Sequence, residues 1–514
     1  MALHGALWNT LTDPLHLTLG ILSISLPVLW HLRRGKQTQA ESNAPTSWPF
    51  DPASLDRSES EGQILAFGNS MILPNRYAHE IRNNDLLSFR DGLEKDFLTT
   101  VPGLEAMFTG TFHNHIVWDT ASAFSRKLGA LIEPLSTETA IFLRDNWSDE
   151  TEWHTITLTE TMHYLIAQLT ARIFIGEELC RDRTWIDNAI RYTAHRTAAI
   201  RELHAYGRFI PLAHWFLPSS RALRACVRAA RPLVERVLEA RRAVAQGKGG
   251  GENGEEKSVD ALSWIDGVAG ESSTKYDATL TQLRLAYAAV HTTSDMMAKV
   301  VAALCEHAEL VQPLREEIVS VLNEHGWSEA ALAKMVLLDS VLKETQRLEP
   351  LASLTLSRIA REPVVLNDGA RIPRGTQVRL TTDNMWNSAV YPDAAKFDGY
   401  RFVQLRQQEK EKETSTNGTT GTNTTVGGSG GGSGGLSFVS VSANHMGFGY
   451  GKHACPGRFF AGAETKIALC HILLKYDFEL VDGALARAQT DGMMIWRDKR
   501  AMVRVRRREG EMGI

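Results

Sequence analysis

GFGYGKHACPGRFF, residues Gly447–Phe460, sets one thiol among four glycines, with His453 two residues before it and Lys452 and Arg458 on either side. Glycines let a backbone come close to a flat or bulky partner. The following ETKIALCHILLKY has an apolar helical pattern, and RFFAG forms its first turns. Cys455 therefore falls just before or at a helix N-terminus, where unpaired N–H groups and the helix dipole favour a thiolate. A thiolate in a glycine cradle is a metal ligand or a nucleophile. A glycine-rich loop before a helix can also bind phosphate, but the Lys-Ser/Thr ending of a P-loop is missing here. An inert buried cysteine is the remaining reading, and spacing alone leaves it open.

Two further groups carry chemistry. In KETQR, Lys343–Arg347, Glu344 and Arg347 stand three apart and share a helix face. Taken alone, such a pair is usually a solvated surface contact. In AAVHTTS, Ala288–Ser294, His291 and Thr292 interrupt a long apolar helix, LRLAYAAVHTTSDMMAKVVAAL. Imidazole titrates near neutrality, so His291 can relay a proton, or it can simply bond a neighbouring carbonyl.

The elements that must position these groups are mostly helical. ASAFSRKLGALIEPLSTETAIFLRDNW and ITLTETMHYLIAQLTARIFIG repeat apolar residues at three- and four-residue intervals. A long helix is expected from about Thr279, and another over about Ala331–Leu348. Residues 351–380 combine Pro, Gly and β-branched runs and read as short strands joined by turns. QGKGGGENGEEKS, Gln246–Ser258, reads as a flexible loop. The low-complexity stretch 406–435 reads as a disordered insertion, with Asn417 and Asn423 matching the N-glycosylation pattern.

The 514 residues carry a formal net charge of -4, which implies no bulk attraction to nucleic acid. Five cysteines at wide spacings include no CxxC pair, so neither a zinc knuckle nor a disulfide framework is expected. LHLTLGILSISLPVLWHL, Leu15–Leu32, is largely apolar and is followed by Arg33, Arg34 and Lys36. At ~1.5 Å per residue it is long enough to cross a bilayer core. The basic residues that follow place the remainder on the cytosolic side. A cleaved signal peptide is the competing reading. The expected organisation is an anchor at 1–36, a linker at 37–52 and one catalytic domain at 53–514.

Phe448, Gly451, His453, Cys455 and Gly457 spell F-x-x-G-x-[R/H]-x-C-x-G, which resembles the haem-binding loop of cytochromes P450. The resemblance implies a P450 fold, mainly α with a small β part, and an N-terminal transmembrane anchor. It implies haem b with Cys455 as the axial thiolate to iron, which favours O–O cleavage. Phe448 and Gly449 would pack beside the sulfur, and His453 would stand against a haem propionate. Glu344 and Arg347 then resemble the family's E-x-x-R pair, with Arg401 of FDGYRF as their structural partner, although Gly399 and Tyr400 depart from the usual proline and glutamate. AAVHTTS resembles A-G-x-[D/E]-T-[T/S] of the oxygen-side helix. Thr292 falls on the threonine that helps deliver protons, Ala289 replaces the glycine, and His291 replaces the acid. The early W-x-x-x-R motif is not matched at Trp118, which leaves Arg126 or Arg358 to reach a propionate.

The resemblance further implies monooxygenation of a hydrophobic small molecule with O2. Electrons would come from NADPH through a separate P450 reductase, docked near Lys452 and Arg458, at the endoplasmic reticulum membrane. The wording around Cys455 is similar to fungal P450s that tailor terpenoids and indole diterpenes. Ala288, His291, Thr292, Leu354, Thr355 and the turn at Asp491–Met494 are the expected substrate contacts. A reductase-independent isomerase or dehydratase, a multistep oxidase and an inactive haem-binding scaffold are the alternatives.

Overall fold

One helix of 29 residues, Ala278–Glu306, organises the rest of the molecule. Asp277 starts it by accepting the N–H of Leu280, satisfying one of the donors a helix start leaves unpaired. The helix is buried on nearly every side, as its apolar composition requires. It packs against helices Leu158–Phe174, Arg183–His204, Pro218–Ala245, Val336–Leu348 and Arg458–Lys475. Met297, Val300 and Val301 from this helix meet Leu165, Leu338 and Ile467 in the main apolar core. The computed structural model describes residues 65–67, 70–104, 120, 122–245, 260–271, 276–416, 435–481, 488–491, 493–498 and 500–509. All of them belong to one compact unit, Ser60–Ile514.

The strands are short: β1 (Leu65–Phe67), β2 (Ser70–Leu73), β3 (Leu87–Ser88), β4 (His154–Thr157), β5 (Leu354–Ala360), β6 (Val364–Val365), β7 (Arg371–Ile372), β8 (Gln377–Thr381), β9 (Tyr476–Leu480), β10 (Ala488–Asp491), β11 (Met494–Arg497) and β12 (Met502–Arg507). The largest sheet has the order β1-β2-β8-β5-β3, and only β2 and β8 run parallel. β4, β12 and β9 form a second sheet. β5 alternates buried and half-buried residues, as expected of a strand with one covered face. Its register slips between Thr355 and Arg358, and Leu356 takes the left-handed φ of 51° there. That conformation costs a non-glycine residue about 1–3 kcal/mol. A bulge of this kind re-aims the side chains that follow it, and the next one inward is Arg358.

The expected helix over Ala331–Leu348 is two helices, Glu329–Lys334 and Val336–Leu348, broken at Met335. The Glu317 carboxylate accepts the N–H groups of Leu337 and Leu338 at 2.7 and 2.9 Å, which fixes a new helix start at that point. The expected insertion at 406–435 begins as helix, because Arg401–Thr416 is one continuous helix. Its Gln, Glu and Lys residues are good helix formers, and Arg406 is anchored by Asp339 and the Leu436 carbonyl. The Gly/Ser run that follows, with Asn417 and Asn423, lies outside the described residues. So do the 246–258 loop, the linker at 37–52, the apolar segment 15–32 and Trp118. Among the described residues no helix is long and apolar enough to cross a membrane.

Candidate active site

Cys455 sits three residues before the helix Arg458–Lys475, whose N-cap is Gly457. The loop folds back on itself: the Cys455 N–H donates to the Phe448 carbonyl at 2.8 Å, and the Gly449 N–H donates to Met446 at 2.9 Å. Gly449 (φ 77°) and Gly451 (φ 82°) take left-handed conformations that side chains resist. Gly447 is required for a different reason. A Cβ there would overlap the Gln346 amide and stand 2.8 Å from its Cγ. Gln346 is itself held by His445 at 2.9 Å, so the loop is keyed to the helix that carries Glu344 and Arg347.

The Cys455 side chain is exposed, and what it opens onto is a cavity. The surrounding protein pushes its thiol pKa up. The N–H groups of Gly457 and Arg458 point at the sulfur and pull the other way, but burial outweighs them. The helix N-terminus therefore does not hold a thiolate unaided, contrary to the sequence expectation. A coordinated metal ion would, since a coordinating thiol is deprotonated outright.

The cavity has about 1290 Å³ of empty space, part of it open to solvent. Phe448, Gly457, Phe438, Phe460 and Phe124 line it near Cys455. The long helix contributes Leu285, Ala288, Ala289, Thr292, Thr293, Asp295, Met296 and Lys299 to the lining. At ~100° per residue these positions share one face. Phe448 packs edge-on against Phe438, with centroids 5.3 Å apart. A Cβ on Gly457 would meet nothing within 4 Å, so the loop leaves room there for a flat group. The Thr292 hydroxyl donates to the Ala288 carbonyl at 3.0 Å, and its oxygen stays free to accept from the cavity.

His291 is not on that face. One residue before Thr292 it is rotated by ~100°. Its Nε2 hydrogen-bonds Thr193 Oγ1, and its ring meets His163 edge-on at 4.9 Å. The expectation that His291 lines the cavity is therefore corrected. Among the described residues, Leu354, Thr355, Met493 and Met494 are not lining residues either, whereas Leu351 is. Sequence reading missed Asp295, Lys299, Gln346 and Glu349, four polar residues on the wall. The spacing of Asp295 and Lys299 relative to Thr292 was the available signal.

Beside the loop, Arg358 is 2% exposed, and no carboxylate among the described residues pairs with it. It donates to the Ser357 carbonyl at 2.9 Å and lies over the Phe89 ring at 4.8 Å. Burial pulls its pKa down to about 10. His453 stacks on the same Phe89 at 4.6 Å. Burial, then Arg358 and Lys452, push its pKa down to about 4, so it is neutral at pH 7. The positive charge expected of His453 thus belongs to Arg358. A buried guanidinium without a counter-ion is costly, and the pair suits an anionic group reaching out of the cavity. Arg126 is exposed, Lys452 is ion-paired with Asp85, and Arg458 donates to the Cys455 carbonyl at 2.8 Å.

Glu344 and Arg347 are both 0% exposed, and Arg401 is 8% exposed. Arg347 grips Glu344 with two bonds of 2.8 Å. Arg401 Nε reaches the same carboxylate at 3.0 and 3.2 Å, and the Asp398 N–H adds a fourth donor group. The carbonyls of Met385, Pro392 and Lys396 accept the remaining guanidinium hydrogens. This is a desolvated triad and not a surface pair.

Comparison with known proteins agrees with this geometry. The family model described as Cytochrome P450 matches residues 111–505. The chain is a member of the cytochrome P450 family. It is 73% identical to Cytochrome P450 monooxygenase cle4 of Aspergillus versicolor, over 98% of this chain and 97% of the relative. Cytochrome P450 monooxygenase esdpG of Penicillium shearii is 55% identical over 94% of each chain. Fumitremorgin C monooxygenase of Aspergillus fumigatus is 38% identical over 86% of this chain and 82% of the relative. The protein is a P450 monooxygenase, and its family works with haem iron and a thiolate.

Proposed function

We propose that this P450 oxidises a hydrophobic secondary metabolite, of terpenoid or indole-diterpene type, with electrons from NADPH delivered by a separate reductase. The apolar segment 15–32 would anchor it to the endoplasmic reticulum membrane as a single pass, with the catalytic domain cytosolic. The observation that carries the reading is that Cys455 and Thr292 both line the same phenylalanine-rich cavity. The kinship with a protein named Fumitremorgin C monooxygenase supports a small-molecule substrate.

Bound haem supplies the oxygen-activating chemistry. Cys455 would ligate the iron as a thiolate, and the N–H groups of Gly457 and Arg458 fix its sulfur and temper its charge. Arg358 and His453 would hold a propionate of the bound haem. Phe124, Phe174, Leu285 and Met296 exclude water and orient an apolar substrate. Thr292 turns its hydroxyl from the Ala288 carbonyl toward the cavity and hands on a proton there. The Glu344–Arg347–Arg401 triad holds the loop's supporting helix in register and takes no part in the chemistry.

The test is a carbon monoxide difference spectrum of the reduced protein, with haem quantified per chain. The parent should bind one haem and give the band characteristic of thiolate ligation, and Cys455→Ala should lose that band. A full thiolate band in the variant would refute the assignment.

A further inference from the structure

The acid that precedes the threonine in this family is absent here, and the histidine in its place turns away to Thr193. The cavity still receives a carboxyl group from the same helix. Asp295 lies three residues after Thr292 on the cavity face, and it is the one acidic residue between Ala278 and Cys305. Residues three apart on a helix have Cβ atoms about 5–6 Å apart, a gap that one water can bridge.

Asp295 heads a continuous set of charged groups. Its carboxylate lies 2.5 Å from Lys299 Nζ and accepts the Arg497 N–H at 3.2 Å. Lys299 also donates to the Ile495 carbonyl at 2.7 Å. The Arg497 guanidinium donates to Glu349 at 2.7 Å and lies 3.9 Å from Glu306, whose side chain is 36% exposed. Glu349 lines the cavity, and its second oxygen, Oε2, is buried with no hydrogen-bond partner among the described residues. The set thus runs from a solvent-exposed carboxylate to the Thr292 side of the cavity. A purely structural lock between the long helix and β11 would not need three charged side chains on a mainly apolar wall, nor an unsatisfied carboxyl oxygen.

We propose that Asp295 is the proton donor that serves Thr292, with Lys299, held against its carboxylate, as the group that reprotonates it. This rests on the monooxygenase reading above. Monooxygenation consumes one O2, two electrons and two protons; one oxygen enters the substrate and the other leaves as water. Each proton that Asp295 passes through a bridging water to the Thr292 hydroxyl is regained from the Lys299 ammonium, which recovers one from water in the cavity it lines. Arg497 keeps its protons and holds the carboxylates in line. Burial pushes the Asp295 carboxyl up, against the pull of Lys299 and Arg497, and pushes Glu349 up as well. Both groups can therefore hold a proton where an exposed carboxylate would not.

The experiment uses the full chain in membranes with a P450 reductase, compared with Asp295→Asn, Asp295→Glu and Lys299→Met. The asparagine keeps an acceptor for the Arg497 N–H but has no acidic proton. It should keep the parental thiolate band and substrate-induced spectral shift. Product per NADPH should fall about tenfold, with hydrogen peroxide making up the difference, a smaller loss than the 10²–10⁴ that general acids supply because water still reaches Thr292. The solvent isotope effect should rise, and Asp295→Glu should recover most of the coupling. In the resting protein, the infrared carbonyl band of a protonated carboxyl should be present in the parent and missing from Asp295→Asn. Parental coupling and isotope effect in Asp295→Asn would overturn the proposal. If Asp295→Asn loses the thiolate band, Lys299→Met decides: uncoupling with the band intact supports the route, and parental coupling overturns it. Cys455→Ala separates the two readings, since it tests the monooxygenase itself and should abolish the thiolate band and every NADPH-dependent product.

Discussion

Replacing Glu344 by glutamine removes the only negative charge between two buried guanidinium groups. Arg347 and Arg401 are 0% and 8% exposed, so neither can be rescued by water without local unfolding. Removing one partner of a buried pair costs about 3–5 kcal/mol. The carbonyls of Met385, Pro392 and Lys396 keep some of each guanidinium's hydrogen bonds, which holds the loss within that range even though two cations are affected. At ~2.1 cal/mol/K per residue over the roughly 450-residue unit, such a loss lowers Tm by about 3–5 °C. Guanidinium chloride titration followed by far-UV circular dichroism gives the free energy, and the thiolate band followed in parallel reports the cysteine loop. The loop should be lost no later than the helices, because Gln346 ties it to the same helix. The control is Arg90→Ala, which breaks the exposed Arg90–Glu94 pair and should cost about 0.5 kcal/mol or less. A Glu344→Gln protein within 1 kcal/mol of the parent would refute the reasoning, since backbone carbonyls alone would then suffice for both arginines.

Three further outcomes follow from the same structure. Arg358→Leu should lower haem retention during dialysis by at least tenfold, equivalent to about 1.4 kcal/mol, while leaving the unfolding midpoint of the haem-free chain unchanged or raised, because a buried cation without a counter-ion is removed. Gly447→Ala should reduce the thiolate band, since the new methyl overlaps the Gln346 amide; titrated haem occupancy checks this. His471 is buried against Ser136 and Trp327, and burial, then Lys475 and Arg507, push its pKa from 6.5 down to about 3. The unfolded chain binds that proton first, so the contribution is complete above pH 6.5 and is lost as pH falls toward 3, by up to ~1.4 kcal/mol per pH unit. His471→Gln should flatten that acid limb by one proton in pH-dependent unfolding curves.

The cysteine loop was legible because its information is local: glycines, a thiol and a helix start within fourteen residues fix the chain's path. The long helix and the strands of residues 351–380 were legible for the same reason, whereas Thr292 was singled out only by the resemblance. What depended on rotation or on distant partners was not. His291 and Thr292 are neighbours in sequence yet face different surroundings, and only the packing of helix Arg183–His204 decides which one meets the cavity. Arg358 drew attention as a propionate partner, but the β5 bulge that aims it depends on the pairing with β8, and the Phe89 ring it shares with His453 lies 269 positions before it. The Glu344–Arg347 spacing alone reads as a solvated contact, because burial is not encoded in an E-x-x-R spacing; the structural pairing with Arg401 came from the resemblance. The helical start of the 406–435 stretch was hidden by its low complexity, although Glu, Lys and Gln favour helix wherever one end is anchored.

The most direct test of the central claim is turnover. The chain, expressed in membranes with a P450 reductase, would be offered terpenoid, indole-diterpene and steroid-like substrates with and without NADPH, with Cys455→Ala as the control and mass spectrometry as the readout. The account predicts an NADPH-dependent product heavier by one oxygen atom that disappears in the variant. A product of unchanged formula that forms without NADPH would contradict it and point to a haem–thiolate isomerase.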